Sequence, residues 1–168
     1  MVLAHRRRNS LRLPTYDYTL PGAYFVTLVC KDRELLFDSP LFRQIAQTAW
    51  LELEALYEDV TLDTHVVMPN HFHGIIVLGA PRRGGSRTAP TAPLIRKPLG
   101  RLVGAFKTMS TKRINQIRGT PAHTVWQRNY HERVIRHERE LNAVREYILD
   151  NPRRWAEDVE NPDYRRCR

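Results

Sequence analysis

Apolar residues along this chain switch between a period of about two and a period near 3.6, and the switches divide it into seven elements. Residues 23–30 (AYFVTLVC) are aromatic and β-branched, follow a Pro21-Gly22 turn, and predict a first strand. Pro40 opens a helical pattern over 41–57, with Leu41, Ile45, Ala49, Leu53 and Leu56 as its apolar stripe and Arg43, Gln47, Glu52 and Glu54 between them. Val60–Val67 and His71–Leu78 predict two further strands, joined by a turn at Met68-Pro69-Asn70. Leu99–Arg118 predicts a second helix, with Leu102, Phe106, Met109 and Ile114 inward and Arg101, Lys107, Lys112 and Arg113 outward. Residues 123–136 read as extended or hairpin structure, and 139–150 as a last amphipathic helix that Pro152 stops soon afterwards. The order β-α-β-β-α-β-α predicts an α+β fold: a ferredoxin-like split β-α-β sandwich, with an antiparallel sheet, helices on one face and an added C-terminal helix.

Three stretches fall outside the pattern. Residues 1–20 form a basic N-terminal arm with Arg6, Arg7, Arg8 and Arg12; residues 79–98 form a flexible basic loop with Arg82, Arg83, Arg87, Arg96 and Lys97 and no acid; residues 153–168 form a basic tail. None can bury a core of its own, so a single domain over 1–168 is expected. Lys and Arg number 27 against 18 Asp and Glu, a formal charge of +9. That excess points to a polyanionic partner, nucleic acid before a membrane. Cys30 and Cys167 are too few and too far apart for a disulfide framework, and no apolar run suits a signal peptide or a membrane helix. A soluble, cytoplasmic protein with no membrane partner is the expectation.

Chemistry concentrates in two places. In His71-Phe72-His73 strand alternation puts both imidazoles on one face and Phe72 on the other, where it joins the core. Two imidazoles so placed can bind one divalent cation and leave positions open for phosphate oxygens or water; in a chain with seven histidines the doublet alone is a common pattern. Tyr147 and Asn151 are four apart near the end of the last helix, hence on one side of it. A phenol is a nucleophile once its proton, with pKa near 10, is removed, and an amide oxygen can reach the same cation. Asn151 precedes Pro152, which predicts that its backbone is leaving the helix.

These pieces occur in order with four longer blocks: 6–30 (RRRNSLRLPTYDYTLPGAYFVTLVC), 66–78 (VVMPNHFHGIIVL), 125–136 (VWQRNYHERVIR) and 147–152 (YILDNP). In them the chain resembles the single-tyrosine HUH transposases, REP-associated tyrosine transposases above all. The resemblance implies a metal-dependent single-strand DNA endonuclease and strand transferase acting at hairpin-flanked sites. Tyr147 would be the nucleophile, forming a 5′-phosphotyrosine, and His71, His73 and Asn151 would hold Mg²⁺ or Mn²⁺. The partner would be single-stranded DNA with hairpins, bound by a monomer or homodimer, with Arg6, Arg7, Arg8, Arg12, Arg82, Arg83, Lys107, Lys112, Arg113 and Arg128 on its backbone. Tyr130 is the rival nucleophile, and Trp126, Trp155 and Tyr130 could stack on bases. A non-catalytic single-strand DNA or RNA binding module is the alternative function; a metal-dependent hydrolase of small substrates explains the histidines but not the charge.

Overall fold

Side-chain alternation in the strands gives the fold two unequal layers against one sheet. The computed structural model describes residues 16–79 and 98–166. Four antiparallel strands, β1 (Gly22–Val29), β2 (Val60–Val67), β3 (His71–Leu78) and β4 (His131–Ile135), lie in the order β2-β3-β1-β4. Even-numbered residues of β1 and β3 (Tyr24, Val26, Leu28, Phe72, Ile76 and Leu78) face the main core. Helices α1 (Pro40–Leu56) and α2 (Leu99–Arg118) close over them with Trp50, Leu53, Leu102, Phe106 and Ile114. Odd-numbered residues point the other way, and there Ile75 and Ile135 meet Val144 and Ile148 of α3 (Glu138–Asp150). This is the ferredoxin-like sandwich expected from the pattern, with the added helix on the sheet's second face. No helix among the described residues is long and apolar enough to cross a membrane.

Four local readings change. The buried face of α1 is Ala46, Ala49, Trp50 and Leu53, whereas Leu41 and Leu56 are about half exposed. Steps of four residues overshoot each helical turn by about 40°, so a stripe drawn through 41, 45, 49 and 53 drifts off the core. Trp50, the largest side chain on the helix, sets the true face by packing on Phe72 and Phe106 with ring centroids 4.6 and 5.5 Å away. Residues 123–136 make no hairpin: Trp126 forms a single bridge with Cys30, and β4 then runs as an edge strand beside β1. α3 does end at Asp150, but Asn151 keeps helical backbone angles (φ −53°, ψ −44°) instead of turning extended before Pro152, and the chain tightens into a 3₁₀ helix over Asn151–Glu157. Pro152 is tolerated at the start of that helix, where its missing N–H has no bond to make. The segment read as a basic tail is folded through a short helix α4 (Pro162–Arg166).

Candidate active site

The site lies on the α3 face of the sheet, at the end where β1 finishes and β3 begins. Cross-strand register sets His71 beside Val29 and His73 beside Thr27, with His131 of β4 on the far side of Thr27. Both imidazoles are buried, and their Nε2 atoms are 3.0 Å apart. The neighbours determine the tautomer of His71. Asn70 Nδ2 donates to the carbonyls of Glu160 (2.7 Å) and Arg33 (3.4 Å), so its Oδ1 is free to accept the His71 Nδ1 proton at 2.9 Å. Neutral His71 therefore presents a lone pair at Nε2. The His73 Nδ1 atom meets the Thr27 hydroxyl at 2.8 Å, and a hydroxyl can serve as donor or acceptor there. With Thr27 accepting, His73 Nε2 also presents a lone pair to the shared point.

That arrangement fits a cation on its nitrogen side. A separation of 3.0 Å is what two adjacent ligands of an octahedral ion at roughly 2.1 Å have. Outer hydrogen bonds orient both rings, as is usual for ligating histidines. Among the described residues, no three His, Cys, Asp or Glu side chains are already gathered into a metal-holding group.

Burial makes the pair reluctant to charge. His73 is pushed down to about 3, first by desolvation and then by His71 beside it. His71 and His65 are lowered too, burial being the largest cause in each. An unfolded histidine titrates near 6.5, so below that pH the unfolded chain binds protons that the folded chain refuses. The stabilisation present above about 6.5 is thus lost progressively as the pH falls towards 3. Urea midpoints measured with chelator at pH 7.5, 6 and 5 should fall steadily; a flat profile would contradict a dry imidazole pair.

Tyr147 reaches this pair from α3. Its ring centroid is 5.4 Å from that of His73 and 6.0 Å from Phe25, which itself stacks on His73 at 5.4 Å. The tyrosine is 47% exposed, so substrate can reach its side chain. The helix is held in place two residues earlier, where Arg145 grips Asp63 of β2 through two bonds of 2.9 and 2.6 Å. The same guanidinium holds the Asp63 carboxyl down to about 2. Tyr147, Asn151 and Asp158 line one cleft of about 560 Å³, with Arg154, Glu157 and Tyr164. Asn151 is buried in its wall.

Of the other candidates, Tyr130 packs on the opposite side, against the main core, with the Lys107 ammonium 5.6 Å over its ring. Trp126 is buried and donates to Ser110 at 2.9 Å, which makes it a core residue. Trp155 flanks His71, ring centroids 5.9 Å apart. Lys107 is turned inward: its Nζ donates to the Gln127 and Asn129 carbonyls, and burial lowers it to about 8. Arg113 pairs with Glu52 at 2.8 Å. Lys112 and Arg128 are exposed on a groove of about 920 Å³ between α2 and residues 119–128. Arg6, Arg7, Arg8, Arg12, Arg82 and Arg83 lie outside the described residues. Sequence reasoning missed Thr27, Asn70 and Asp158. Thr27 was findable only from strand register, and Asn70 looked like turn punctuation.

No family model matches the chain. An uncharacterized protein of Haemophilus influenzae is 32% identical over 169 residues, covering 92% of this chain and 92% of that one. Among solved structures, that of a REP-associated tyrosine transposase bound to a REP hairpin superposes with a TM-score of 0.60 at 18% identity. The match spans 85% of this chain and 73% of the other, and it is a likeness of fold.

Proposed function

The chain belongs to the same family as the Haemophilus influenzae protein and has the fold of a REP-associated tyrosine transposase, and from that premise we propose that it cleaves and rejoins single-stranded DNA beside hairpins, with Tyr147 as nucleophile. The observation that carries the reading is the buried His71/His73 pair, Nε2 atoms 3.0 Å apart, with the half-exposed ring of Tyr147 against His73. The four sequence blocks support the same assignment, and the hairpin DNA in the solved transposase makes hairpin-bearing single strands the substrate to try.

The tyrosine hydroxyl loses its proton to solvent and its Oη attacks the scissile phosphorus. The bond from phosphorus to the 3′-oxygen breaks, that oxygen takes a proton, and a 5′-phosphotyrosine remains. Attack by another 3′-hydroxyl reverses the exchange and restores the phenol. One phosphoester replaces another at each stage, so rejoining needs no nucleotide cofactor. His71, His73 and Asn151 are the residues that would hold Mg²⁺ or Mn²⁺, which when bound would polarise the scissile phosphate. Phe25 and Thr27 keep the His73 ring in its plane while α3 presents the tyrosine.

The test is to incubate the protein with hairpin-flanked single strands and look for a detergent-resistant protein–DNA adduct that chelator abolishes. Binding without an adduct would favour the non-catalytic module. Backbone contact is assigned to Lys112 and Arg128, the exposed cations of the groove. Alanine at either should lower the slope of log affinity against log salt by about one without changing which hairpin is preferred. Lys107→Ala should act through stability instead, because its ammonium holds the 127–129 backbone.

A further inference from the structure

Strand β2 changes sides partway along. Val60 and Leu62 pack on the main core; past a register irregularity between Leu62 and His65 the parity inverts, with Val67 on that core and Val66 on the α3 side. Such a bulge re-aims side chains. It sends His65 inward onto Phe72, ring centroids 5.9 Å apart, and leaves Asp63 facing α3. The carboxylate is fixed before it meets the helix, since its Oδ1 accepts the Thr64 N–H at 2.6 Å and the Thr64 hydroxyl at 2.9 Å. Arg145 then donates to both oxygens, from Nε at 2.9 Å and from a terminal nitrogen at 2.6 Å, and braces its guanidinium on Asn142 at 2.8 Å.

Val144 and Ile148 are the buried stripe of α3. At about 100° per residue, Arg145 and Tyr147 stand on its two flanks, each about 80° from the centre. Rolling the helix about its axis therefore moves the two in opposite senses, and whatever fixes Arg145 fixes Tyr147. Apolar contact holds the stripe down but sets no roll, because it has no direction. A two-bond guanidinium–carboxylate pair does have direction. The tie on the other flank, Arg133 with Glu140 at 2.6 Å, is weaker: it lies in the first turn, and Arg133 is 66% exposed. We propose that Asp63 and Arg145 are positioning residues for the attack, their ion pair setting the roll of α3 and so the approach of the Tyr147 ring to His73. The proposal rests on Tyr147 as the nucleophile.

The experiment is single-turnover adduct formation by the full chain on a saturating hairpin-flanked single strand, with DNA affinity and melting temperature measured on the same proteins. Asp63→Asn keeps an acceptor for Thr64 and removes the charge; Arg145→Gln removes the forked donor. Each should slow adduct formation roughly tenfold or more, because a misplaced attacking group is costly, while DNA affinity stays within about twofold. The double variant should be no slower than the slower single one, since both break the same pair. A pair that only stabilised the fold would lower the melting temperature and leave the rate untouched well below it. Full adduct rate in the folded variants therefore overturns the proposal and leaves the tyrosine standing. Lost DNA affinity in Arg145→Gln, with a normal rate once DNA saturates, makes Arg145 a phosphate contact and also overturns it. If Asp63→Asn melts below the assay temperature, Arg145→Lys decides, keeping the charge and giving up one of the two bonds. Slowed adduct with unchanged affinity in that protein supports the positioning role, and full rate overturns it. No adduct from the unaltered protein overturns this role and the nucleophile together.

Discussion

Tyr147→Phe should yield no covalent protein–DNA adduct and should lower cleavage of a hairpin-flanked single strand by about 10³-fold or more, because the attacking atom itself is gone. The substitution removes one oxygen and keeps the ring, so the edge contacts with His73 and Phe25 persist. With the side chain half exposed, no buried hydroxyl is left without a partner, and the melting temperature should stay put. DNA affinity should also stay within a few-fold, which separates loss of chemistry from loss of binding. Tyr130→Phe is the matched control, since that residue packs on the other side of the sheet under Lys107. Adduct surviving in Tyr147→Phe and vanishing in Tyr130→Phe would transfer the nucleophile and sink the assignment.

Gly74→Ala should destabilise the fold by about 1–3 kcal/mol, a large effect for one methyl group. Gly74 follows His73 on the core face of β3, between Val26 of β1 and His65 of β2. A Cβ there would stand 2.5 Å from Trp50 Cζ2 and 2.9 Å from Phe72 Cε1. The indole cannot step aside, because Trp50 is fully buried and wedged between Phe72 and Phe106. Strain on β3 also moves the strand that carries both histidines, so activity should fall further than thermal stability alone explains. The measurements are the urea midpoint and Trp fluorescence of the folded state. An unchanged midpoint would mean that the ring does not lie on the glycine. The residue is glycine for close approach, and no unusual φ is involved.

Much of the molecule was legible without coordinates. Strands β1 to β3 and the helices kept nearly the limits that periodicity suggested, because their apolar patterns are strong and Pro, Gly and Asn mark their ends. The histidine pair and Tyr147 were visible as residue types at fixed spacing, and the fold brings their rings together. Weak signals left alternatives open. Residues 123–130 carry few apolar positions, and what orders them is remote: the Trp126 bridge to Cys30, the Trp126 bond to Ser110, and the ammonium of Lys107.

By itself, then, the sequence determined the element order, the alternation that sends Phe72 to the core and His71 and His73 to the other face, and the basic character of the whole. Those features depend on residues a few positions apart, where helical and strand geometry are repetitive. Only the tertiary structure decided the tautomer of His71, the partnership of His73 with Thr27, and the approach of Asp158 from the far end of the chain. It likewise decided which cations are available: Lys107 and Arg113 are held by carbonyls and a carboxylate, whereas Lys112 and Arg128 are exposed. Most of those outcomes depend on residues separated by tens of positions, and no local period records which distant group will meet a given nitrogen or oxygen.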